Sequence, residues 1–260
     1  MFVNTKFQFI QFHMPKTAGT CIKKSLFLLS RDILSEAGWD KDDIEGAAKW
    51  LIEPEDQPPW HTKGIPSHEP ESHVGTAARK YLVKRIGQQA FDLYLKFTSV
   101  RNPFDRIASA FDHMNHDLDG RHIRNGFKQW SVENNNVTSE DITIDDFGLF
   151  VKYLYDGRQS GRLLPLFFKP QTEWFTDYDD NKNIDTVIRY EYIQKDYEKI
   201  CDKVGYPKTT LPHSDHSYRM AAKRHYSSHF INNDGTEEMV KWLYKDDFIQ
   251  LDYDPNISYS

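Results

Sequence analysis

Cysteine is scarce in this chain. Cys21 and Cys201 are the two among 260 residues. Two thiols make neither a disulfide framework nor a zinc site, which needs four ligands with set spacing. No apolar run approaches the roughly 20 residues that a membrane-spanning helix requires. The N-terminal apolar residues are interrupted by Lys6, Gln8 and Gln11, so they do not read as a secretory leader. Positive charge is not in excess either. Lys and Arg number 33 against 39 Asp and Glu, for a net charge of −6. That balance speaks against a nucleic-acid binder, which needs a basic surface, and leaves room for a local basic pocket. No Gly/Ser/Pro-rich linker divides the chain, so a single domain over 1–260 is expected.

The chain does have a distinctive start. Phe7 to Phe12 reads as a strand, with 6–12 as its bounds, and a helical pattern follows from about 20 to 35. Between them lies His13-Met14-Pro15-Lys16-Thr17-Ala18-Gly19-Thr20-Cys21. A tight loop between a strand and a helix N-terminus points backbone amides at an anion, and the helix dipole adds partial positive charge. Lys16 brings a full charge, and Thr17 and Thr20 bring hydroxyls. It is not a Walker A loop, in which Lys follows the second Gly; here Lys16 precedes Gly19. Taken alone, the segment reads equally well as a plain strand-to-helix turn.

A second junction tips that balance. Leu95 to Val100 reads as a buried strand and runs into Arg101-Asn102-Pro103. Asn102 suits a helix N-cap and Pro103 the first helical position. The helix is expected to run to about Asp117, with Ser109 two turns along it. An Arg fork and a hydroxyl can hold one dianionic phosphate. Nucleotide hydrolases usually place an Asp there for Mg²⁺; Arg101 in that place suggests phosphate recognition without metal. Two separated phosphate sites imply a nucleotide phosphorylated at both ends.

A strand followed by PKTAGT and a helix, then a strand followed by RNPxxRxxSxF, resembles the sulfotransferases that use 3′-phosphoadenosine 5′-phosphosulfate (PAPS). It is similar in particular to their carbohydrate branch, with the heparan 2-O- and 6-O-sulfotransferases and bacterial or viral relatives. Ser72-His73-Val74-Gly75-Thr76-Ala77, Pro170-Gln171-Thr172-Glu173-Trp174, Val187-Ile188-Arg189-Tyr190-Glu191 and Leu243-Tyr244-Lys245-Asp246-Asp247 extend the likeness over most of the chain. The resemblance implies PAPS as donor, adenosine 3′,5′-bisphosphate (PAP) as product, no metal, and an acceptor hydroxyl on a carbohydrate. It implies that Lys16, Thr17, Ala18, Gly19, Thr20 and Cys21 hold the 5′-phosphosulfate and that Arg101 and Ser109 hold the 3′-phosphate. Arg219 joins them from a late loop that often closes the family's nucleotide site. Cys21 departs from the Ser that the family commonly has. Animal members are typically Golgi-anchored; without such an anchor, a cytoplasmic enzyme is expected.

Lys16 is the candidate for stabilising charge on the leaving phosphate. The acceptor hydroxyl must lose a proton, and His73 is the candidate base, ahead of His68 and His13. Arg106 reads as a ligand neutraliser or as a partner of Asp105 or Asp112. His213 and His216 read as a polar turn and Glu191 as a partner of Arg189. Two other functions compete: a P-loop-like nucleotide kinase and a catalytically inactive nucleotide-binding module.

Strands alternating with helices predict a three-layer α/β/α fold with a mostly parallel sheet. Further helices are expected at about 75–90, 144–156, 193–204 and 236–250, and a strand at 185–190. Residues 36–72 and 118–143 read as irregular segments that decide the acceptor.

Overall fold

The computed structural model describes residues 2–19, 21–23, 25, 26, 29, 79, 82–84, 86–116, 121–135, 146–175, 183–211, 225–231 and 235–257. Residues 36–72 lie outside this set. The chain packs as two compact units, 1–101 with 173–213 and 102–172 with 214–260. Among the described residues, no helix is long and apolar enough to cross a membrane.

The first unit holds a four-stranded sheet in the order β1-β2-β3-β4. The strands are β1 (Phe2–Asn4), β2 (Phe9–Phe12), β3 (Leu95–Val100) and β4 (Thr186–Arg189). β1 runs antiparallel to β2, while β2, β3 and β4 are mutually parallel. The expected first strand at 6–12 is therefore half turn and half strand. Residues 5–8 form the turn, where the Asn4 side chain accepts the Phe7 N–H at 3.0 Å and Gln8 takes a φ of 55°.

Alternation along the strands sends successive side chains to opposite faces. Phe2, Phe9, Phe97 and Ile188 pack on one face against Ile22, Leu26, Tyr197 and Ile200. Val3 and Ile10 pack on the other against Leu82 and Phe91. Helices thus cover both faces, the arrangement that parallel strands require. The helix expected at about 75–90 is interrupted, because Gly87 takes a φ of 85° and a new helix, Gln88–Leu93, starts after it. Lys96 is buried and donates to the carbonyls of Phe91 and Tyr94 at the end of that helix. The Ile193–Val204 helix has its expected bounds and stops at Gly205 in the left-handed conformation that glycine tolerates.

The second unit is helical. Pro103–His116 starts as expected, with the Phe104 N–H donating to the Asn102 side chain at 2.9 Å. Residues 121–135 of the expected loop 118–143 are instead a helix, Arg121–Asn135. Among its described side chains, Ile123, Phe127 and Ser131, spaced four apart, are the buried ones. The Phe147–Gln159 helix is capped by Asp146, whose side chain accepts the Leu149 N–H at 2.9 Å. The expected last helix is two, Thr236–Leu243 and Lys245–Gln250, parted at Tyr244. The Tyr244 hydroxyl donates to the Phe168 carbonyl at 2.8 Å.

That break turns Asp247 inward, where it is fully buried. Its carboxylate accepts the N–H groups of Gln171 and Thr172, both at 2.8 Å, the Thr172 hydroxyl at 2.9 Å and the Gln171 side-chain amide at 3.3 Å. Burial pushes the carboxyl above the usual range, against the opposing pull of Arg106 and the backbone donors. Arg106 is 1% exposed and donates to the Lys169 carbonyl at 2.8 Å. It therefore turns into the core and braces this knot rather than facing a ligand. Asp112, one of its expected partners, lies 3.0 Å from His229.

Candidate functional site

The three parallel strands β2, β3 and β4 end at one edge of the sheet, the edge at which open α/β sheets bind ligands. The loop of residues 13–18 leaves β2 there. Lys16 and Ala18 adopt left-handed φ values of 66° and 63°. For non-glycine residues that conformation costs roughly 1–2 kcal/mol each. Successive amides in such a turn form a concave nest suited to an anion.

The loop's closure explains the local sequence. The Thr17 hydroxyl donates to the Met14 carbonyl at 3.0 Å and lies 2.8 Å from the Ser99 hydroxyl. Its one hydrogen goes to Met14, so Ser99 is the donor in the second bond. Thr17 and Ser99 are both fully buried. This hydroxyl therefore fastens the loop to β3, and the residue's place toward a ligand rests on its backbone. The Ala18 carbonyl accepts the N–H groups of Cys21, at 3.0 Å, and Ile22, at 3.3 Å, as the helix begins. Amides ahead of such first bonds find no acceptor within a helix. Gly19 is required here by close approach, since a Cβ would sit 2.9 Å from Nδ1 of His13 and 3.4 Å from the Met14 carbonyl. His13 thus packs against the start of the helix. Cys21 is a buried free thiol at its third position.

Arg101 follows the last residue of β3 and is 9% exposed. Its Nη1 donates to the Lys16 carbonyl at 3.2 Å. Its guanidinium carbon lies 3.9 Å from the centre of the Tyr190 ring. One cation thus joins the ends of all three parallel strands: the loop after β2, its own position after β3, and Tyr190 after β4.

The structure brings together Lys16, Thr17, Ala18, Gly19, Cys21 and Arg101. Ser109 belongs to the second unit, on the Pro103–His116 helix, and is 8% exposed. Thr20, His68, His73, Arg219, His213 and His216 lie outside the described residues. Among the described residues, no group of three or more His, Cys, Asp or Glu side chains could hold a metal ion. Sequence reasoning missed Ser99 and the contact of Tyr190 with Arg101. The signal for Ser99 was slight: a small polar residue near the end of an otherwise apolar strand. Tyr190 offered none that was specific to Arg101.

The arrangement can hold two anionic groups, one in the nest at the helix N-terminus and one at the Arg101 fork. A family model described as the sulfotransferase family matches residues 1–254, through both units. No curated protein and no solved structure matches the chain.

Proposed function

The chain belongs to the sulfotransferase family, and on that premise we propose that it moves the sulfuryl group of PAPS to a hydroxyl of a carbohydrate. The observation that carries this reading is the bond from Arg101 to the Lys16 carbonyl. It sets a strand-end cation beside the anion loop, within the span of one nucleotide. The left-handed turns at Lys16 and Ala18 and the helix start at Gly19 suit the 5′-phosphosulfate. Arg101 suits the 3′-phosphate, with Ser109 as its second partner in this reading. Both units belong to one catalytic domain on this account, since the family match runs through both.

PAPS supplies an activated sulfuryl group on a phosphate leaving group. An acceptor oxygen forms a bond to sulfur while the bond from sulfur to the phosphate oxygen breaks, and PAP departs. The Lys16 ammonium and the loop amides oppose the charge that grows on that phosphate oxygen. His73 takes the proton from the acceptor hydroxyl.

Incubation with sulfur-labelled PAPS and a panel of saccharides tests the reading. Label is expected in a saccharide ester. His73→Ala is expected to reduce transfer by roughly a hundredfold while leaving PAP affinity unchanged, as for loss of a general base. Label reaching no saccharide hydroxyl would contradict the carbohydrate acceptor. Full transfer by His73→Ala would move the base to another histidine.

A further inference from the structure

We propose that Tyr190 is a positioning residue that orients the Arg101 guanidinium for the 3′-phosphate of the nucleotide; the inference rests on the function proposed above. An arginine side chain is long, and its rotamer entropy opposes fixing it in one place. A fork that must present a pair of parallel N–H groups to phosphate binds best when it is already held in place.

The Lys16 carbonyl and the Tyr190 ring help to hold this one. The Nη1 bond to the Lys16 carbonyl fixes one corner of the guanidinium. The Tyr190 ring, 3.9 Å from its central carbon, covers a face. Together they leave little freedom to swing or to tip. A covering ring also keeps water from that face, which strengthens the bonds that the edges make.

Strand register puts the ring there. Val100 of β3 pairs with Arg189 of β4, so the next residues, Arg101 and Tyr190, emerge side by side. Tyr190 is half-buried. The β4 residue that serves the sheet core is Ile188, two positions earlier. The ring is therefore committed to the cation rather than to the core. The 5′ end of the nucleotide meets the loop amides and Lys16, so loss of the ring should fall mainly on ligands that carry a 3′-phosphate.

Calorimetry on the full chain with two nucleotides, PAP and adenosine 5′-phosphosulfate, tests the assignment. Tyr190→Phe keeps the ring and is expected to bind PAP within about twofold of wild type, while Tyr190→Leu is expected to lose about tenfold, the scale of a partly shielded cation–π contact. The same Leu variant should lose less than about threefold toward adenosine 5′-phosphosulfate, since that ligand lacks the phosphate that Arg101 holds. In an Arg101→Ala background the Leu substitution should change PAP affinity by less than about twofold, because its partner is gone. Tyr190→Met fills similar space without a ring and is expected to match Leu, so the comparison survives misfolding of either variant.

Wild-type PAP affinity in folded Leu and Met variants would overturn the proposal. So would equal losses for both nucleotides, or an undiminished effect of Leu in the Arg101→Ala background. A wild-type chain that binds neither nucleotide would refute the nucleotide reading itself, and the role of Tyr190 with it.

Discussion

Lys16→Ala is expected to lower kcat by roughly a thousandfold, the upper range for removing one donor aimed at developing charge. The substitution is a clean probe because of the backbone around it. Lys16 sits at a φ of 66°, and alanine carries the same Cβ and the same strain at that angle. The bond that its carbonyl accepts from Arg101 is likewise independent of the side chain. The melting temperature should therefore hold while turnover collapses. Steady-state kinetics separates the roles. A fall in kcat beyond the rise in KM marks an ammonium that acts in the transition state, whereas a rise in KM alone marks uniform binding. Lys16→Arg should recover part of the loss, because a planar fork does not reproduce a compact ammonium. Normal turnover in Lys16→Ala would remove this residue from the chemistry.

Asp247→Ala is expected to destabilise the protein by about 3–5 kcal/mol, the range for breaking a buried charge cluster by removing one partner. The carboxylate accepts from two backbone amides, one hydroxyl and one side-chain amide. Alanine leaves these donors without that acceptor, and the buried Arg106 without a nearby carboxylate, in a place closed to water. Asp247→Asn should cost less, since it keeps one acceptor oxygen. Urea unfolding reads the effect as a lower midpoint at an unchanged slope. A midpoint like that of wild type would show that the knot contributes nothing to stability.

This knot also shows what could and could not be read from the sequence. Pro170-Gln171-Thr172 and the closing Lys245-Asp246-Asp247 each resemble family segments, and Gln171 and Asp247 are 76 positions apart. Their joint meaning is one buried hydrogen-bonded cluster, which depends on the break at Tyr244 and is invisible to periodicity. The burial of Arg106 is hidden for the same reason, since nothing in its neighbourhood tells that it points into the core.

Local chemistry was legible. The strand Leu95–Val100, the Asn102 cap and the helix start at Pro103 each follow from two or three adjacent residues. So do the bounds of Ile193–Val204, set by Gly205. β1 escaped because three residues are too few to show a period. Arg121–Asn135 is hard to read because few of its described residues are buried apolar ones, Ile123 and Phe127, while Val132 is exposed. At the site, the loop and Arg101 were legible as separate strand-to-helix junctions. Their direct contact was not, nor was the inward turn of the Thr17 hydroxyl, whose partner Ser99 is 82 residues away. Register among parallel strands decides such contacts, and no local signal encodes it.

In the proposed function, the loop after β2 and the arginine after β3 grip the two phosphorylated ends of a single nucleotide. Calorimetric titration with PAP, set against ATP with Mg²⁺, tests it most directly. Saturable binding of PAP is expected, with at most weak binding of ATP and a loss of PAP affinity of at least about tenfold in Arg101→Ala, the worth of a charged hydrogen bond. Binding of ATP with Mg²⁺ as tight as that of PAP, or PAP affinity untouched by Arg101→Ala, would contradict it.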